Sequence, residues 1–289
     1  LKASVIIPVF NQTERLIFTL KALEKQTFKG NFEVIVVDDG SSVPVENILY
    51  NTSFNYDLKI ITQPNQGRAK ARNTGFLNSQ NEILIFCDAD RVPDKEFIKE
   101  HLRNKGERVT IGCVKEVYFS DLSIINKFLL KDQNILAKKS RIPAYPKMIY
   151  ELFDEDGNTD SSISWIATFS GNMSISRSLF SEIGGFNELF NEWGFEHFEL
   201  GFRVFKKKEG FVYNNRAINF HLAHTRNIEL LKINITSSLE LINKLHPNED
   251  LIREFCEFIN GNKSMQEIEK NRNALWLRKA TKEHNFSIK

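Results

Sequence analysis

The sequence predicts an α/β protein: a mostly parallel, Rossmann-like sheet flanked by helices, with a helical extension at its C-terminal end. Three observations carry the prediction. Near-continuous apolar runs of strand length alternate with helical periodicity through the first half of the chain, the pattern of strands buried on both faces. These runs end on loops rich in Asp, Asn and Gly, with helical stretches between them, as parallel strands require. From about Asn227 onward the strands stop and helical spacing continues, broken near Pro247 and Gly261.

Ser4-Val5-Ile6-Ile7-Pro8 is the first strand. Asn11 stands three residues before Glu14, a capping-box spacing, and Leu16, Leu20 and Leu23 continue along one helix face. Residues 32–37 form a second strand that stops on Asp38-Asp39-Gly40-Ser41-Ser42. Residues 58–62 form a third, followed by the turn Gln63-Pro64-Asn65-Gln66-Gly67 and a helix from about Arg68. Residues 83–87 form a fourth, ending on Asp88-Ala89-Asp90. Ligands of such sheets sit beyond the carboxyl ends of the strands, so the loops after Pro8, Val37, Thr62 and Cys87 are expected to line one rim. Past about residue 110 the pattern loosens. Residues 154–164 read as a polar, mobile loop, 165–170 as a strand, Gly184-Gly185-Phe186 as a turn and 196–208 as a helix. The chain therefore divides into 1–110, 111–226 and a helical extension, 227–289. His101, His246 and His284 fall on surface helices in this reading and receive no role.

Composition narrows the classes. The 289 residues are 41% hydrophobic and 26% charged, which excludes disordered, collagen-like and coiled-coil chains. Lys+Arg exceeds Asp+Glu by 39 to 37, too even a balance for a chain built around nucleic acid. Cys87, Cys113 and Cys256 have neither paired nor metal-knuckle spacing, so reduced thiols are expected. No apolar run approaches the roughly 18 residues that span a bilayer, and no signal pattern opens the chain. A cytoplasmic location is expected, peripheral at a membrane if the tail touches one. The chain starts at Leu1, as one with a removed upstream segment would.

Five constellations can carry chemistry. Asp88 and Asp90 flank a small residue, Ala89, where a buried strand ends. Two carboxylates there can hold a hard divalent ion against a diphosphate without enclosing it; the alternative is Asp residues that cap the next helix. Asp38-Asp39-Gly40-Ser41 offers a carboxylate to a ribose hydroxyl or base N–H, or is turn chemistry. Arg68 and Arg72, four apart near a helix start, suit a phosphate, or form a solvated basic face; Lys70 points elsewhere. In Trp193-Gly194-Phe195-Glu196-His197-Phe198-Glu199, Glu196 and Glu199 share a helix face and His197 lies on another azimuth. An acid or imidazole there can act as general base toward a sugar hydroxyl, or the segment is an ordinary amphipathic helix. Finally, His221-Leu222-Ala223-His224 can add one imidazole to the Asp pair. Strand periodicity would separate these two histidines, whereas a turn would let them converge.

Together these segments resemble the family 2 glycosyltransferases of the GT-A fold. The likeness runs from Ser4-Val5-Ile6-Ile7-Pro8-Val9-Phe10-Asn11 through Val36-Val37-Asp38-Asp39-Gly40-Ser41-Ser42, Asn65-x-Gly67, Ala71-Arg72-Asn73 and Asp88-Ala89-Asp90. It continues in Ser170-Gly171-Asn172, Gly184-Gly185-Phe186-Asn187 and Trp193-Gly194-x-Glu196, a stretch similar to the chondroitin polymerase and β-1,4-galactosyltransferase type. It covers roughly residues 3 to 226.

The resemblance implies a UDP-sugar donor, Mn²⁺ or Mg²⁺, and inverting transfer to a hydroxyl of a glycan, glycolipid or glycoprotein. By the same resemblance, Pro8, Val9 and Phe10 border the nucleoside and Asp39 contacts the uracil. Arg72 and Arg68 approach the base or diphosphate, Asp88 and Ala89 lie near the ribose, and Asp90 ligates the metal with His224. Asn172, Trp193 and Glu196 meet the sugars. The family usually reads Trp-Gly-x-Glu-Asp, with that Asp as base; here the position is His197, leaving His197, Glu196 and Glu199 as candidates. The rival readings are a retaining transferase or nucleotidyltransferase on a related fold, and a sugar-nucleotide-binding or scaffold protein without catalysis. The tail is expected to pack on the core or to mediate a homodimer or membrane-surface contact.

Overall fold

A computed structural model of the chain describes residues 1–119, 121, 134–192, 194–225, 227–280 and 284–286. The four expected strands are β1 (Ala3–Val9), β2 (Phe32–Asp38), β3 (Asp57–Thr62) and β4 (Ile83–Cys87). They pair in parallel, in the order β3-β2-β1-β4. Val5, Ile6 and Ile7 alternate faces yet are all fully buried, because helices cover both sides. Those helices include α1 (Thr13–Leu23), the short α2 (Val45–Leu49) and α3 (Arg68–Leu77). Gly75 permits the close seating of α3 on β1: a Cβ there would lie 2.4 Å from Ile6 Cγ2.

The capping box at Asn11 does not form. Gln12 occupies the N-cap of α1, and Asn11 itself adopts φ 53°. Its Oδ1 accepts from the Ser42 N–H at 2.8 Å and its own N–H donates to Ser41 Oγ at 2.9 Å. Asn11 thus joins the loop after β1 to the loop after β2, an alternative open to Asn wherever a backbone donor lies nearer than the helix.

The second half adds β5 (Arg91–Pro93), α4 (Phe97–His101), β6 (Val109–Val117), α5 (Asn134–Lys139), α6 (Ala144–Tyr150), β7 (Asn172–Ser176), α7 (Arg177–Glu182), α8 (Glu196–Lys206) and β8 (Phe211–Leu222). One sheet runs through both halves in the order β3-β2-β1-β4-β7-β6-β8-β5. β7 is antiparallel to β4 and β6, and β5 is antiparallel to β8. Residues 165–170 are not a strand. Ser164–Ala167 is a 3-10 turn, and Trp165 is buried against Phe202 and Phe255 at 5.2 and 5.0 Å between ring centroids. A short apolar run fits a buried turn as well as a strand, and here helix packing rather than a ladder buries it. The 154–164 stretch is anchored rather than loose. Asp154 Oδ1 accepts from the N–H groups of Asp156 and Asn158, and Tyr213 N–H donates to the Gly157 carbonyl at 2.9 Å.

His101 is not on the surface. It is fully buried, with Nε2 2.9 Å from Asn172 Oδ1 and Nδ1 3.0 Å from Ser174 Oγ. Burial pushes its pKa down to about 4, against the opposing Asn172 hydrogen bond. The extension forms α9 (Ile228–Leu245), α10 (Asp250–Ile259), α11 (Met265–Ile268) and α12 (Leu275–Lys279). Its Leu239, Ile242, Ile252, Phe255 and Phe258 join the same apolar core as Phe86, Trp165 and Phe198. The tail therefore packs on the α/β body, while Leu230 and Ile233 stay exposed. Among the described residues no helix is long and apolar enough to cross a membrane.

Candidate active site

The carboxyl ends of β1, β2 and β4 meet the end of β8 at one rim. Arg91 pairs with His221 across β5 and β8, and the Leu222 N–H donates to the Asp90 carbonyl at 2.8 Å. This register carries both histidines to the Asp loop. Asp90 Oδ2 lies 3.4 Å from His221 Nε2 and 3.5 Å from His224 Nε2. Of the two arrangements open to these histidines, the structure has the convergent one: His221 meets His224 because β8 ends at Leu222 and the chain turns directly after it. Burial works to raise the Asp90 pKa, but the two histidine hydrogen bonds and nearby positive charge outweigh it and hold the carboxyl well below its usual range.

These three residues suit a divalent ion. One ligand atom from each lies within 4.8 Å of the others. His224 Nδ1 sits 3.1 Å from the Thr225 carbonyl, so that nitrogen carries hydrogen and Nε2 faces the carboxylate. A lone pair aimed at a carboxylate is repulsive unless a proton or metal cation lies between them. His221 presents its other nitrogen to Glu116 Oε1 at 3.4 Å, the carboxylate backing common behind metal-bound imidazole. Two imidazoles and one carboxylate suit Mn²⁺ better than Mg²⁺, which favours an all-oxygen shell.

Beside this cluster a second set of charges is closed on itself. Arg72 is buried, donating to Glu196 Oε1 at 2.8 Å and to Asp88 Oδ1 at 2.8 Å. Arg91 Nε donates to Asp88 Oδ2 at 3.0 Å. Arg72 is therefore not presented to base or diphosphate, whereas Asp88 keeps a side chain 23% exposed, with a spare lone pair on each oxygen. Arg72 lies beneath the rim, and both Asp88 oxygens are held by guanidinium groups. Gly171 permits this arrangement, since a Cβ there would lie 2.3 Å from Asp88 Oδ2. Burial opposes ionisation of Asp88, yet Arg72 and Arg91 lower its pKa overall. Among the described residues Arg72 Nε, Arg91 Nη1 and Glu196 Oε2 are buried without a hydrogen-bond partner.

Glu196 opens α8 after two residues with positive φ, Gly194 and Phe195. Burial would raise its pKa, but His197, then Arg72 and Arg68, hold it far below the carboxylate range. A carboxylate so stabilised is a poor base. His197 Nδ1 lies 3.6 Å from Glu196 Oε1, and its side chain remains partly exposed. Glu199 points into the core instead. It accepts from Arg203 Nε at 2.8 Å and lies 3.1 Å from His246 Nε2, so it is a packing anchor rather than a base. Asn172 is likewise withdrawn: fully buried, its Nδ2 donates to the carbonyls of Cys113 and Ala217, both at 3.1 Å. Trp193, expected to wall the sugars, lies outside the described residues.

At the other end of the rim Pro8 and Val9 are buried within β1 and Phe10 is 48% exposed. Asp39, expected at the uracil, is buried and shapes its neighbourhood. Oδ1 accepts from Gln63 Nε2 and the Gln66 N–H, and Oδ2 from the Gly67 N–H. Ala89 is buried, its carbonyl accepting from Thr19 Oγ1. Arg68 is exposed at the start of α3 with no ion pair among the described residues, while Lys70 pairs with Glu188 at 3.0 Å. Arg91 and the ligand position of His221 were not predicted; Arg91 adjoins Asp90 in sequence, whereas His221 depends on pairing across the sheet.

The fold and this rim define a glycosyltransferase, and comparison with known proteins bears that out. Residues 4–126 match the family model described as glycosyl transferase family 2, and residues 158–225 the one described as the N-terminal domain of galactosyltransferase. The chain is a glycosyltransferase with the GT-A fold, and its residues 4–126 carry the family 2 domain. It is 26% identical over 85% of its length to an uncharacterized glycosyltransferase, YfnE, of Bacillus subtilis, covering 71% of that protein. It is 28% identical to chondroitin synthase of Pasteurella multocida over 71% of this chain, and spans 23% of that longer protein. In fold it resembles S. aureus TarS residues 1–349, with TM-score 0.61 and 19% identity over 91% of this chain and 70% of that one. It also resembles the mannosyltransferase PcManGT of Pyrobaculum calidifontis in complex with GDP-Man and Mn²⁺, with TM-score 0.58 and 15% identity over 86% and 64% of the chains.

Proposed function

We propose that this chain transfers a sugar from a UDP-sugar to a hydroxyl of a glycan or glycoconjugate, with inversion and with the help of a divalent ion. The observation that carries the reading is the convergence of Asp90, His221 and His224 beside a rim that also presents His197, with Glu196 buried behind it. Asp90, His221 and His224 would hold the ion, Mn²⁺ before Mg²⁺, and the ion would neutralise charge on the leaving diphosphate. Phe10 offers a ring to the nucleoside. Arg68, at the N-terminal end of α3 with free backbone N–H groups, suits a phosphate oxygen.

His197 takes the role of base. An imidazole can both accept and return a proton, and the carboxylate of Glu196 beside Nδ1 would fix the ring so that Nε2 accepts the acceptor's proton. The oxygen so freed attacks the anomeric carbon as the bond to the diphosphate breaks. Glu196, held ionised by His197 and then by Arg72, orients the imidazole and stabilises the imidazolium that forms. Trp193 remains a proposed wall for the sugars on the strength of the family likeness alone. Incubation with a panel of UDP-sugars and Mn²⁺, read as UDP release with and without oligosaccharide acceptors, tests the reading. Binding of UDP with no release from any donor would support the non-catalytic rival. Retention of configuration in the product would overturn the inverting assignment.

A further inference from the structure

Residues 227–289 lie beyond both family matches, yet α9 and α10 contact the segment that carries Glu196 and His197. We propose that this C-terminal extension is a positioning device for that segment, acting through His246, Ser238 and Phe255.

The segment needs one. Gly194 has φ +120° and Phe195, a bulky residue, has φ 65°, in the left-handed region. Such a backbone persists only where its surroundings over-determine it. Ser238 of α9 donates through Oγ to the Gly194 carbonyl at 3.4 Å. The Phe255 ring of α10 packs against Phe195 and Phe198, at 5.7 and 5.1 Å between centroids. His246, at the end of α9, places Nε2 3.1 Å from Glu199 Oε1, one helical turn after Glu196. Glu199 in turn holds Arg203, whose Nη2 donates to the Gly185 carbonyl at 2.6 Å and whose Nη1 donates to that of Ile183. The same turn takes Asn73 of α3, with Phe186 N–H donating to Asn73 Oδ1 at 2.9 Å. A continuous polar path therefore runs from the tail, through α8, to the helix that carries Arg68 and Arg72. His246, Ser238 and Phe255 touch no reacting group; they are positioning residues.

The inference rests on the assignment of residues 196–197 to catalysis, so its test includes a readout independent of turnover. In the full chain, His246→Ala, His246→Gln and Phe255→Leu are compared with wild type by steady-state kinetics, UDP titration and amide exchange. His246→Ala should lower kcat by about tenfold to a hundredfold, as small displacements near chemistry do, with UDP affinity held within about twofold. Exchange should quicken at residues 194–199. His246→Gln, which still donates to Glu199, should recover most of both effects, and Phe255→Leu should resemble the alanine variant. Unchanged exchange at 194–199 in His246→Ala and Phe255→Leu would overturn the proposal, even if the wild type transferred no sugar. So would a uniform quickening across the chain in both, because that marks general stability rather than positioning.

Discussion

Arg72 and Glu196 stand 124 residues apart in sequence and meet at 2.8 Å inside the protein, where Arg72 also holds Asp88. The pair ties the loop after β4 to the start of α8. It keeps two carboxylates of opposite sides of the site at a fixed separation, with one guanidinium fork bridging them.

Replacing Arg72 with Met should leave Asp88 and Glu196 without that bridge, a loss of about 3–5 kcal/mol for breaking a buried ion pair. Adding Glu196→Gln should recover part of the loss. Urea unfolding of the two single variants and the double variant checks this. If Arg72→Met instead weakened UDP binding at unchanged stability, Arg72 would be a donor contact after all.

The metal cluster makes its own prediction. Asp90→Ala should abolish most Mn²⁺ binding, and His221→Ala should be as damaging as His224→Ala, because both imidazoles face the same carboxylate oxygen. Ligation needs neutral imidazole, so Mn²⁺ affinity should fall on acidification. Paramagnetic resonance of free Mn²⁺ counts the bound fraction directly. Full affinity in His221→Ala would remove that residue from the ligand set, and full turnover in EDTA would remove the metal from the reaction.

His197→Ala should cut transfer by roughly 10²–10⁴-fold, the usual effect of losing an acid–base group, with UDP affinity almost unchanged. His197→Asp should restore part of the rate and shift the acidic limb of the pH profile downward. Glu196→Gln should slow transfer less than His197→Ala if it only orients the ring. A rate close to wild type in His197→Ala would sink the imidazole hypothesis.

His101 links stability to pH. Its folded pKa is depressed to about 4 from 6.5, so the unfolded chain binds its proton more readily. The stabilisation is complete above about pH 6.5 and is lost as pH falls toward about 4, amounting to about 3 kcal/mol. His101→Gln should flatten the wild-type decline between about pH 7 and about pH 4.5 in denaturant titrations. Parallel curves for the two proteins would show that His101 does not titrate in that window.

Truncation of the tail is expected to unfold the α/β body rather than release an independent module, since Phe255 and Ile242 lie in the core they share. Loss of the cooperative unfolding transition in a chain ending at Asn227 is the measurement. A truncated chain that stays soluble with wild-type stability would contradict it.

Period and punctuation in the sequence determined the parallel half of the sheet, its four strands, the rim at their carboxyl ends and the Asp88-Ala89-Asp90 loop. Those features are local: a buried strand is an apolar run, and the loop that follows must carry the residues that turn the chain. Only the tertiary structure decided what each polar residue does. Arg72, Glu199 and Asn172 look like surface chemistry in a string of letters, yet each finds its partner inside the protein at long range. His221 becomes a ligand candidate because β8 pairs with β5 across 130 residues of chain, as the register Arg91 to His221 specifies. Burial and ion pairing depend on what packs against a side chain from elsewhere in the fold, and no spacing within one segment records it.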